Sequence, residues 1–171
     1  HHRVKYVAFV VCLLIGLFSI SENRYSAGFA QSLEEGLVVW LPLDEGAGLD
    51  AADRSDNDND GVLRGQPIWI LGQVGNAVDF VNPSFNNNNP DWIDIPPDDS
   101  QNLSNQVTLA AWVRAVEFNA GAGIITKGEN ITSYALRVAG DGRVMFTANF
   151  GEPFGWEGAG DWFSTGTIEL N

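Results

Sequence analysis

The chain has one cysteine, Cys12, and two histidines, His1 and His2, all ahead of Gln31. From Gln31 to Asn171 both residue types are missing. That absence excludes Ser-His-Asp and Cys-His catalysis, imidazole metal ligation and disulfides from this part of the chain. Without disulfides, an exported chain must be held by its core, by bound metal, or by both. Basic residues are scarce as well. Beyond residue 30 only Arg54, Arg64, Arg114, Lys127, Arg137 and Arg143 stand against 21 acids, a net charge of −15. Such a surface repels phosphodiesters and anionic lipid, so nucleic acid and anionic membranes are excluded as partners; divalent cations and neutral sugars are compatible with it. Helical periodicity is also lacking, because no stretch after Gln31 holds a 3.6-residue period for three turns. No P-loop lysine follows the glycine clusters.

What is present begins with residues 1–30, which read as a secretory signal peptide. A basic opening, "HHRVK", precedes an apolar run of fifteen, Tyr6–Ile20, and small residues Gly28 and Ala30 set the expected cleavage after Ala30. Spanning a bilayer needs roughly 20 apolar residues, so no membrane insertion is expected after cleavage. The expected location is secreted or cell-surface. Residues 31–171 are enough for one domain with a real core.

That part reads as short apolar segments broken by Gly, Asn, Asp and Pro. "LVVWLPL" (Leu37–Leu43), "GNAVDFV" (Gly75–Val81) and "DWIDI" (Asp91–Ile95) are strand candidates, the second and third separated by an asparagine-rich loop. In "VTLAAWVRAV", Val107, Leu109, Ala111, Val113 and Ala115 share one apolar face, while Thr108, Ala110, Trp112 and Arg114 share the other. Trp40 and Trp112 are nevertheless expected in the core. "AGIITKG" and "SYALRVAGDGRVMFTAN" follow, and "AGDGR" predicts a hairpin with a two-residue Asp-Gly turn. The expected fold class is an all-β sandwich with turns every eight to twelve residues.

The order of these pieces resembles the LamG-like jelly-roll domains of the concanavalin A-like, laminin-G-type superfamily. The residues that carry the resemblance are "LVVWLPLDEGAG" (Leu37–Gly48), "AADRSDNDNDGVLRG" (Ala51–Gly65), "WILGQVGNAVDF" (Trp69–Phe80), "DWIDIPP" (Asp91–Pro97), "VTLAAWVRA" (Val107–Ala115) and "IITKGENITSYALRVAGDGRVMF" (Ile124–Phe146). The resemblance implies an antiparallel jelly-roll β-sandwich. It also implies that the chain, ending at Asn171, holds about the first two-thirds of such a domain and belongs to a larger chain.

Within it, "DRSDNDNDGVLRG" (Asp53–Gly65) invites a metal reading. Asp56, Asp58, Asp60 and Gly61 fit the first half of an EF-hand loop, but its twelfth position is Pro67 instead of a bidentate glutamate. The preferred reading is a turn in which Asp and Asn side chains bond nearby backbone and Gly61 takes a conformation that other residues avoid. The second reading, implied by the resemblance, is one structural calcium held by Asp53, Asn57, Asp58 and Asp60, with Asp44 or Glu45 completing the set.

No catalytic residues are assigned. A retaining glucanase needs two carboxylates on one face about 5–5.5 Å apart, whereas Asp91 and Asp94 of "DWIDIPPD" fall on opposite faces of a strand. The aromatic, glycine-rich loop "FGEPFGWEGAGDWF" (Phe150–Phe163) offers a platform for sugar rings, with Trp156 and Trp162 stacking and Glu157 and Asp161 bonding hydroxyls. The competing reading packs these aromatics against other strands. The expected function is an exported, non-catalytic recognition module for a glycan or an extracellular protein. A structural or adhesive protein–protein module is the alternative, and an accessory domain of a glycoside hydrolase comes third.

Overall fold

The computed structural model describes residues 10–13 (backbone), 36–80, 90–103, 107–117, 121–128, 134–148 and 160–170. Twelve strands occur in it: β1 (Val10–Leu13), β2 (Leu37–Leu41), β3 (Asp50–Ala51), β4 (Gly61–Arg64), β5 (Ile68–Leu71), β6 (Asn76–Asp79), β7 (Trp92–Asp94), β8 (Thr108–Ala111), β9 (Ala122–Lys127), β10 (Tyr134–Val138), β11 (Arg143–Ala148) and β12 (Gly160–Thr167). A short 3-10 turn, Asp99–Gln101, is capped by Asp98, whose side chain accepts from the Ser100 amide at 2.8 Å. No helix among the described residues is long and apolar enough to cross a membrane. The chain is all-β and its sheets are antiparallel, consistent with a β-sandwich.

Among the described residues four sheets form, in the orders β2–β1–β8, β12–β11–β10–β9, β3–β4–β7 and β5–β6. Burial against the apolar cluster of Val38, Val39, Leu41, Leu43, Ala51, Leu63, Val78 and Phe80 explains why the first, third and fourth pack together. Trp69, Ile93, Ile95, Leu103, Val107 and Leu109 close over that cluster from its flanks. Each buried aliphatic side chain contributes about 1.5–3 kcal/mol.

The alternation read from Val107 to Ala115 holds. Val107, Leu109, Ala111 and Val113 are partly buried and Ala115 fully so, while Thr108, Ala110, Trp112 and Arg114 are exposed. Trp112 therefore stands outside the core, 75 % exposed, because its place in the alternation is the outward one. Trp40 is likewise 39 % exposed, flanked by buried Val39 and Leu41.

The hairpin expected at "AGDGR" joins β10 to β11, with Val138 opposite Val144. Its loop is longer than expected. Ala139 N–H donates to Arg143 O at 2.8 Å and Gly142 N–H to Ala139 O at 2.9 Å, leaving Gly140, Asp141 and Gly142 in the loop. Of these three only Gly142 takes positive φ, at 83°. This is the three-residue connection in which one glycine absorbs the left-handed twist.

Gly160–Thr167, expected to begin in a loop, is a strand instead. β12 pairs with β11, placing Phe146 opposite Trp162, Thr147 opposite Asp161 and Met145 opposite Phe163. It is the outermost strand of its sheet, and most of its residues on both faces are exposed.

Candidate functional site

The acidic stretch is organised around Asp53. Its Oδ1 accepts from the amides of Trp40 at 2.7 Å and Ser55 at 2.9 Å. Its Oδ2 accepts from Ser55 Oγ at 2.6 Å and the Asn59 amide at 2.9 Å. Partial burial works to raise the Asp53 pKa, but the hydrogen bonds from Ser55, Trp40 and Asn59 outweigh it and hold the carboxyl below its ordinary range. Asp60 Oδ1 in turn accepts from the Asp53 amide at 2.8 Å.

The loop also grips β2 directly. Arg54 N–H donates to Trp40 O at 2.8 Å and Asn59 Nδ2 to Val38 O at 2.9 Å, with Ser55 Oγ, whose proton goes to Asp53, also 2.9 Å from Val38 O. Asn57 Nδ2 donates to Leu37 O at 2.9 Å. Side chains of the loop thus take the place of a neighbouring strand along one edge of β2, satisfying backbone groups that would otherwise be bare. The conformation assigned to Gly61 belongs instead to Asp58, whose φ is 54°. Gly61 lies in β4 and is needed for space, since a Cβ there would run into Ile93.

Of the four residues considered for calcium, Asp53 has both carboxylate oxygens occupied by donors, Asn57 spends its Nδ2 on Leu37 O, and Asp60 Oδ1 holds the Asp53 amide. Asp58 is exposed in the left-handed bend. Asp44 and Glu45 serve other neighbours: Asp44 Oδ1 accepts from the Asn76 amide at 3.0 Å, and Glu45 Oε1 from the Ala52 amide at 3.0 Å. Among the described residues no three acid, histidine or cysteine side chains converge as a metal group.

The other candidate lies on the β11–β12 edge. Trp156 and Glu157 fall outside the described residues. Asp161 and Trp162 are successive residues of β12, so they point to opposite faces of the sheet. The structure therefore does not bring these two together.

On the Asp161 face, Thr147 Oγ1 donates to Asp161 Oδ1 at 2.7 Å. Phe163 is 46 % exposed there, with the Arg143 guanidinium 4.6 Å from its ring centre, a cation–π contact. Arg143 Nε also donates to Asp141 Oδ2 at 2.7 Å. The backbone and side-chain donors of Arg143 hold the exposed Asp141 carboxyl below its ordinary range. This face combines a flat ring, a hydroxyl, two carboxylates and a guanidinium.

On the Trp162 face, strand register sets Ile125, Leu136, Phe146 and Trp162 in one row across four strands. The Phe146 and Trp162 ring centres are 5.7 Å apart, tilted by 34°, and Trp162 is 53 % exposed. Arg143, Thr147 and Asp141 were not singled out from sequence. Counting in twos outward from the "AGDGR" hairpin would have aligned Arg143 and Thr147 with β12, had β12 been recognised as a strand. No family model matches the chain, and no curated protein and no solved structure matches it either.

Proposed function

We propose that the chain is an exported, non-catalytic recognition module of the LamG-like jelly-roll kind, binding carbohydrate on the Asp161 face of β11–β12. The observation that carries this reading is the grouping of Phe163 and Asp161 on the outer strand β12 with Arg143 and Thr147 on its neighbour β11. The apolar face of a sugar ring stacks on an aromatic side chain while its hydroxyls bond carboxylate, hydroxyl and guanidinium groups. A neutral ligand also suits a chain of net charge −13. The full chain titrated against a panel of neutral oligosaccharides tests the reading. Phe163→Ala and Asp161→Asn should each weaken binding about tenfold or more, a loss of about 1.4 kcal/mol, and Trp162→Ala should leave it unchanged. Absence of binding across the panel, or loss confined to Trp162→Ala, overturns this site.

The apolar row ending at Trp162 favours a second reading, an adhesive protein–protein module. An exposed row of aliphatic and aromatic side chains is a surface for protein contact. In that case Trp162→Ala abolishes partner capture and Asp161→Asn leaves it intact.

A further inference from the structure

β1 belongs to the apolar run at the start of the chain, yet it is the middle strand of the β2–β1–β8 sheet. It runs antiparallel to both neighbours. Val10 lies opposite Leu41 and Ala111, Val11 opposite Trp40 and Ala110, and Leu13 opposite Leu37 and Thr108, while Cys12 lies opposite Leu109. β2 and β8 are therefore parallel to each other and two strand spacings apart, about 9.5 Å. Among the described strands, β1 alone joins them into a sheet.

The other edge of β2 is already engaged, because Trp40 N–H, Trp40 O and Val38 O are bonded by the acidic loop. The backbone groups of Val39 and Leu41 point the other way, by strand alternation, into the space that β1 fills. The walls of that space are apolar: Val39 and Leu41 are buried, and Leu109 packs against the same cluster. A strand seated there gains hydrogen bonds on both sides at once.

We infer that the space between β2 and β8 is an acceptor for one apolar antiparallel strand, and that its occupant in the uncleaved chain is the chain's own Val10–Leu13. The N-terminal segment then has a role besides export, as the strand that completes this sheet. The seating follows from the pairing itself. Its release on export rests on the reading of residues 1–30 as a signal peptide, and on cleavage the sheet is left with an open one-strand gap.

The test uses Cys12, the single cysteine of the chain. Directly opposed residues of antiparallel strands have Cα atoms about 4.5–5.5 Å apart, within the range a disulfide spans. In the full chain produced without export, Leu109→Cys should form an intramolecular disulfide with Cys12 under mild oxidation. Ala110→Cys, one residue out of phase, should not. A second pair, Val11→Cys with Ala110→Cys in a Cys12→Ser background, leaves the packing of Leu109 untouched and should also close. Trapping should be several-fold greater for matched than for mismatched pairs and should disappear in urea. Equal trapping of matched and mismatched pairs, or trapping of neither matched pair, overturns the proposal. Disulfide-linked dimers from the matched pairs also overturn it, because they place the strand of a second copy in the gap.

Discussion

Gln101 donates its side-chain amide to Asn59 Oδ1 at 2.9 Å, and Asn59 passes its own amide on to Val38 O at the same distance. Both residues are buried, and Gln101 Nε2 also reaches Pro96 O while Tyr134 Oη donates to Gln101 O at 3.2 Å. This polar chain ties the acidic loop, the 3-10 turn and β10 together through groups that have little access to water.

Asn59→Ala and Gln101→Ala should therefore each destabilise the chain by about 1–3 kcal/mol, the cost of leaving a buried partner unsatisfied. Urea unfolding of the full chain measures it. The double variant should cost less than the sum of the two, because the second change removes a partner already orphaned by the first.

The Asp53 carboxyl sits below its ordinary pKa of 3.8 in the folded chain. A depressed folded pKa means that this contribution is fully present above pH 3.8 and fades as pH falls through the lower folded value. Wild type should lose stability over that acid range more steeply than Asp53→Asn. At neutral pH the variant should already be less stable, by at least about 1 kcal/mol, since an amide cannot accept four hydrogen bonds. Unfolding midpoints recorded from pH 2 to 7 would expose either failure.

Calcium offers a separate check on the same loop. With the Asp53 oxygens already taken by four donors, millimolar calcium or chelator should leave the melting midpoint of the full chain unchanged. A resident ion at 100 times its dissociation constant would add about 2.7 kcal/mol and raise the midpoint by several degrees. A rise of that size abolished by Asp60→Asn would assign a metal to the loop.

Gly61→Ala should be more costly than most surface changes. The added methyl runs into Ile93 on the neighbouring strand β7, and overpacking of this kind costs about 1–3 kcal/mol. Ile93→Val in the Gly61→Ala background should recover part of the loss in a thermal melt.

The sequence made the strand at Thr108–Ala111 legible through its single inward phase, and the β10–β11 hairpin through the Asp-Gly turn between its two strands. β12 escaped notice for the converse reason. "GDWFSTGT" is exposed on both faces of an outer strand, so no burial imposes a period on it. β4 was hidden by its neighbours, four residues at the end of a run of acids and asparagines that reads as a turn. Trp112 was legible in the pattern and misjudged from residue type, since its alternation phase already pointed outward. The acidic loop was read as a turn made by local bonds. Its grip on Val38 and Trp40, across more than a dozen positions, depends on tertiary contact that no local pattern encodes.

That grip also gives the β2–β1–β8 sheet a closed side and an open side. Carboxylate, hydroxyl and amide side chains fill the margin of β2, whereas β8 has no outer neighbour among the described strands. A sheet with two bare margins can add copies without end, as fibrils do. With one margin capped and β1 seated, two copies that meet along β8 consume the bare side of both, so growth through this sheet stops at a two-fold pair.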